Sequence, residues 1–267
     1  MDTSFIFKVM VFYSTVLFAI IAVVLGFIYQ CRKAAKTGEM FFYLTFKETY
    51  DDKGRLDLVP INSEAEGTED YKRINEGFGV CFGMFFIFTL LVMFSLAWEE
   101  QVGYALPAFI PFSLMLATGL WIAPIFALLL IEANENDLIK IFLSTTIGCY
   151  SLVLIGSSSG IDFTFLEPIL LLGFLPIFIY YFVNGVPWIF GITIGTTWNV
   201  RPRVRKFMAY YSMVWFSLFL LLQSNTARFL AETSPEDNTW NKAVEVAMQL
   251  WITTVEIIFR VFEATGQ

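Results

Sequence analysis

The sequence predicts an all-α polytopic membrane protein of about seven transmembrane helices, its N-terminus outside, with a small cytoplasmic loop that contains a β-hairpin. Three observations carry that prediction. Hydrophobic residues make up 57% of the 267 positions and charged residues only 15%, against about 25% charged in soluble domains. Apolar runs near the length of ~20 residues that crosses a bilayer fall at 5–29, 78–98, 107–131, 139–157, 164–183 and 207–222. The links between those runs alternate in basic charge, which sets orientation because Lys and Arg accumulate on the cytoplasmic side.

The run at 5–29 is too long for a signal peptide, lacks a small-residue cleavage site and is followed by positive charge in "QCRKAAK", so residues 1–30 read as a retained first span. Links 31–77, 132–140 and 199–206 carry eight, one and four Lys or Arg; residues 1–8 and links 99–106, 158–163 and 223–242 carry one, none, none and two. Thirteen against three places the first set in the cytoplasm. Within it Arg201, Arg203, Arg205 and Lys206 read as a cytoplasmic basic anchor, a solvated loop that is also able to meet lipid phosphates.

Residues 31–77 form the only long link. "FFYLTFKETY" alternates, with Phe42, Leu44 and Phe46 on one face and Thr45, Lys47 and Thr49 on the other, and "DDKG" turns it into "RLDLVPI", the pattern of a hairpin. A calcium loop centred on Gly54 is rejected, because Thr49, Lys53 and Pro60 would stand where oxygen ligands are needed. Residues 78–267 then form a transmembrane bundle.

In that bundle Ser144, Gly148 and Ser151 recur at helical spacing and predict a helix-packing face. The stretch 164–198 is too long for one crossing and contains Pro168, Pro176 and "NGVP". Its economical reading is one span over 164–183 followed by a broken element at 186–198, with Asn184, Gly185 and Pro187 as the breaking residues. Such an element is either re-entrant, lining a transport site, or a helix in the cytoplasmic interface.

The last helix is expected from about Pro235 to Glu263, with Ser234 as N-cap, Pro235 at its first position and Asp237 completing a capping box. Along it Lys242, Glu245, Gln249, Thr253, Glu256, Arg260 and Glu263 are three or four residues apart. At 100° per residue they occupy an arc of about 80°, and nearly everything else on the helix is apolar. A narrow polar stripe of this kind suits a spanning helix whose stripe faces the bundle interior or water. Glu245, Gln249, Thr253, Glu256 and Arg260 are therefore the candidate pore-lining residues. The blander reading is a structural seam in which these groups satisfy one another.

Several functions are excluded or disfavoured by composition. A net charge of −7 with no basic face argues against nucleic acid. The chain has no histidine, the commonest metal ligand and general base, and shows no nucleophile elbow, phosphate loop or Asp-rich metal motif. No metal, cofactor or catalytic activity is expected. Cys31, Cys81 and Cys149 are isolated and odd in number, which suggests no disulfide framework. No asparagine begins an Asn-x-Ser/Thr sequon, which favours a bacterial inner membrane or an organellar one.

Two functions remain. One is a channel or transporter moving an ion or small solute along the polar stripe; the other is a non-catalytic accessory subunit of a larger membrane complex. The expected partners are the lipid bilayer and either further copies of this chain or other membrane subunits.

Overall fold

The computed structural model describes residues 3–41, 45–50, 56–60, 69–102, 106–132, 135–189, 202–233 and 239–265. Among them are seven helices and one hairpin: α1 (Thr3–Thr37), β1 (Phe46–Tyr50), β2 (Leu56–Pro60), α2 (Glu69–Val102), α3 (Phe109–Glu132), α4 (Glu135–Ser158), α5 (Leu166–Ile189), α6 (Pro202–Thr233) and α7 (Trp240–Thr265). Five of these helices are long and apolar enough to cross a membrane, namely α1, α2, α3, α4 and α6. The described apolar stretch of α5, Leu166–Tyr180, is shorter. Helix α7, about 39 Å long at 1.5 Å per residue, is long enough but diluted by its polar stripe.

Two of the spans extend into the expected 31–77 loop. Helix α1 continues to Thr37 and stops at Gly38, whose φ of 70° is left-handed; the Glu39 N–H donates to the Ala34 carbonyl at 3.2 Å. Glycine takes this conformation without steric cost and so closes the helix. At the other end of the loop, α2 begins at Glu69.

Between them lies the expected hairpin, β1 antiparallel to β2 with Phe46 opposite Pro60 and Tyr50 opposite Leu56. Its turn, residues 51–55, and Phe42 and Leu44 lie outside the described residues. Phe46 and Leu58 are buried. Glu48, on the same face as Phe46, lies 3.9 Å from the Lys36 ammonium.

The chain divides into two compact units. The first is Met1–Phe7, Thr145–Asn238 and Val246–Gln267; the second is Lys8–Ser144 and Thr239–Glu245. In the second unit Gly119 of α3 sits where a Cβ would strike Ile20 and Val16 of α1, and Phe12 packs on Phe112 at 4.7 Å and edge-on to Trp240 at 5.6 Å.

The core of the first unit joins α5 to α6 through Phe163, Leu166, Leu170, Ile177, Trp215 and Leu221. Polar bonds reinforce it: Trp215 Nε1 donates to the Leu170 carbonyl at 2.8 Å and the Tyr211 hydroxyl to the Gly173 carbonyl at 3.0 Å. In lipid, where apolar burial between helices gains little, such close packing and hydrogen bonds hold helices together.

Three expectations are corrected here. The helix does not break at Asn184, Gly185 or Pro187: α5 runs through all three to Ile189. Proline removes one intrahelical bond and glycine costs about 1 kcal/mol in a helix, and neither suffices near a helix end. Residues 190–198, the rest of the expected broken element, lie outside the described residues.

The expected packing face of Ser144, Gly148 and Ser151 is exposed, and a Cβ on Gly148 would meet nothing within 4 Å. The close approach is instead at Gly156, where a Cβ would collide with Ser224 and lie 2.6 Å from the Leu221 carbonyl oxygen. Finally, α7 starts at Trp240 rather than near Pro235. Thr239 is its N-cap, its hydroxyl accepting from the Lys242 N–H and its carbonyl from the Ala243 N–H, each at 3.2 Å. The expected caps at 234–237 lie outside the described residues.

Candidate functional site

Helix α7 has two kinds of surface. Its apolar girth is buried: Ala243, Val244, Met248, Leu250, Trp251, Val255, Ile258 and Phe262 are each less than a tenth exposed. The polar stripe is the part-exposed side, with Gln249 exposed and Glu245, Glu256, Arg260 and Glu263 intermediate. The contrast with the lipid-exposed helices is sharp, since α5 presents Leu171 and Leu172 at 77% and 75% exposure. Helix α7 turns its girth towards its own chain; the stripe, apart from buried Thr253, stays part-exposed although it also meets α6 at Thr253 and Glu263. The geometry follows from the sequence, because seven polar residues confined to 80° leave about 280° of helix for packing.

The stripe is divided into three. At its N-terminal end the Lys242 ammonium pairs with Glu245 at 2.8 Å. In the middle Thr253 is buried, and its hydroxyl is 2.8 Å from Gln223 Oε1 of α6 and 3.1 Å from the Gln249 carbonyl. At its C-terminal end Arg260 bridges Glu256 at 3.0 Å and Glu263 at 2.9 Å, and Glu263 continues to Arg205 of α6 at 3.5 Å. Side-chain exposure is 39% for Glu256 but only 17% and 15% for Arg260 and Glu263. The three carboxylates of the stripe are matched by its own Lys242 and Arg260 together with Arg205 of α6, so charge balances only when the α6 arginine is included.

A balanced line of this kind has a chemical consequence. Any small ion that binds a carboxylate competes with a lysine or arginine already there. Ion binding at a carboxylate and rearrangement of its pair are therefore coupled.

The basic anchor opens α6. Arg203, Arg205 and Lys206 are exposed on its first turns beside exposed Val204 and Phe207; Arg201 lies outside the described residues. Arg205 has the additional task of reaching α7.

Four side chains that sequence reading passed over are on α6. Besides Gln223, Asn225 is buried and ties the segment between α4 and α5: its Oδ1 accepts from the Phe163 N–H and its Nδ2 donates to the Ile161 carbonyl, both at 3.0 Å. Arg228, also buried, donates from Nη1 to the same Ile161 carbonyl at 3.1 Å, with Nε 3.6 Å from Glu232. Ser212 is fully buried. The available signal was periodicity, since Gln223 is in phase with Arg205, whereas the run had been read only for length. Among the described residues, no group of three or more metal-ligating side chains occurs.

These elements define a polytopic helical membrane protein in which one amphipathic helix is buried on its apolar side. The Bax1-I family, described as inhibitor of apoptosis-promoting Bax1, matches residues 59–267, well over half of the sequence. The chain belongs to this family, a multi-pass membrane family. Comparison with curated proteins gives no match.

Proposed function

We propose that the protein is a non-catalytic channel or transporter that moves an ion or small solute along the polar stripe of α7, in a bacterial inner or an organellar membrane. The observation that carries the reading is the division of α7 into a buried apolar girth and a part-exposed polar line. Charged groups at mid-membrane cost roughly 3 kcal/mol each on insertion scales and persist where they serve a path or pair with one another. Here they pair, and they also keep an accessible side. With the sidedness given by the basic links, the Arg205 network lies at the cytoplasmic end and Lys242–Glu245 at the outer one.

The accessory-subunit reading draws on the same stripe, but Lys242, Glu245, Glu256, Arg260 and Glu263 already have partners within the chain. A docking subunit is therefore not needed to neutralise them. The test is tracer flux in liposomes containing the full chain. Glu256→Gln leaves Arg260 its Glu263 contact and should change ion flux or selectivity by roughly threefold or more, with the protein still monodisperse. Unchanged flux together with a loosened assembly would favour the subunit.

A further inference from the structure

Residues seven and eighteen apart lie within about 20° of one another around an α-helix, so Arg205, Ser212 and Gln223 share one face of α6. The outer two both reach the stripe of α7, Arg205 at Glu263 (3.5 Å) and Gln223 at Thr253 (2.8 Å). Between them Ser212 is completely buried, and among the described residues its hydroxyl has no hydrogen-bond partner.

That hydroxyl is unusual for this protein. A helical serine in apolar surroundings turns back onto a carbonyl three or four residues earlier, as Ser14, Ser95, Ser157, Ser217 and Ser224 all do. Ser212 does not, although the Met208 carbonyl stands at the required spacing. Buried polar groups are met by protein or by ordered water, and the face that carries Ser212 is the one whose other members bond to the stripe.

We propose that Ser212 is a water-binding position and the α6 contribution to the path: its hydroxyl holds water between α6 and α7, and through that water the hydration shell of a small ion in transit. The proposal rests on the reading of α7 as path-lining and adds to it a second wall, Arg205–Ser212–Gln223.

The experiment is cysteine accessibility in the full chain in native membranes, with Cys31, Cys81 and Cys149, all buried, replaced by alanine. The probe is 2-aminoethyl methanethiosulfonate, a small cationic reagent that is attacked at sulfur by a thiolate, giving a mixed disulfide and releasing methanesulfinate, and so requires water at the cysteine. Ser212→Cys is compared with Glu256→Cys on the stripe and with Leu172→Cys, which is lipid-facing in a membrane.

Ser212→Cys is expected to react about tenfold faster than Leu172→Cys, since thiolate forms only where water enters. If Glu256→Cys reacts while Ser212→Cys is as slow as Leu172→Cys, the second wall is overturned and the α7 path stands. If neither exceeds Leu172→Cys, both fall. Independently, Ser212→Ala in the native-cysteine chain should lower flux by roughly threefold without changing the melting temperature, because one water ligand is lost and no packing; unaltered flux overturns the proposal.

Discussion

Asn225 and Arg228 show how two polar side chains on one helix can fix a neighbouring turn. Together they occupy the part-buried Ile161 carbonyl and the Phe163 N–H, the latter a buried donor that would otherwise lack a partner at a typical cost of about 1–3 kcal/mol. Between those two residues Asp162 accepts from the Thr164 N–H at 2.9 Å. That bond first, then the Thr164 hydroxyl and the Arg228 charge, hold its carboxyl below the ordinary 3.8. A depressed carboxylate contributes stability that is fully present above 3.8 and lost as pH falls through the lower folded value. Protection of the Thr164 amide against hydrogen exchange should therefore persist above pH 4 and disappear in stronger acid, and Asp162→Asn should remove that step. None of this was legible in sequence. "QSNTAR" reads as small polar interruptions at the end of a span, and only the fold brings 161–163 beneath it. Glu256 and Arg260 were legible, because partners four residues apart on one helix need no tertiary information.

At the scale of elements, periodicity predicted the hairpin and the polar line of the last helix. The alternation through Phe46, Lys47 and Thr49 gave a hairpin, and the seven-residue polar series gave the stripe of α7. It failed wherever a choice between equivalent patterns depended on a neighbour. Ser144, Gly148 and Ser151 have the spacing of a packing face, yet the contact forms at Gly156, further along α4, because the partner carbonyl and hydroxyl are those of Leu221 and Ser224. Gly156→Ala would force a methyl group against both. It should destabilise the protein by about 1–3 kcal/mol, the usual cost of overpacking, seen as a lower melting temperature in detergent, whereas Gly148→Ala, in open space, should be neutral or slightly stabilising through helix propensity. The start of α7 was misplaced for a related reason. Both 234–237 and Thr239 offer capping side chains, and local sequence does not rank two caps five residues apart.

For the whole molecule, composition alone was enough to predict a polytopic helical membrane protein, and membership of the Bax1-I family over residues 59–267 agrees with it. The count of spans was less secure. Five helices qualify by length and apolarity, while α7 does not, since the charged residues of its stripe lower its average. That property bears on how the chain enters the membrane during synthesis. A helix carrying Lys242, Glu245, Glu256, Arg260 and Glu263 is a poor substrate for insertion by itself, but α6 precedes it on the ribosome and already displays Gln223 and Arg205. Fused alone to a reporter that senses membrane integration, α7 should remain largely outside the bilayer; with α6 attached it should integrate, and Arg205→Ala with Gln223→Ala should return it towards the unassisted level. Equal integration with and without α6 would refute this dependence. Helix α6 would then be an assembly template as well as a wall, holding the polar groups that receive its successor before that successor has left the translocon.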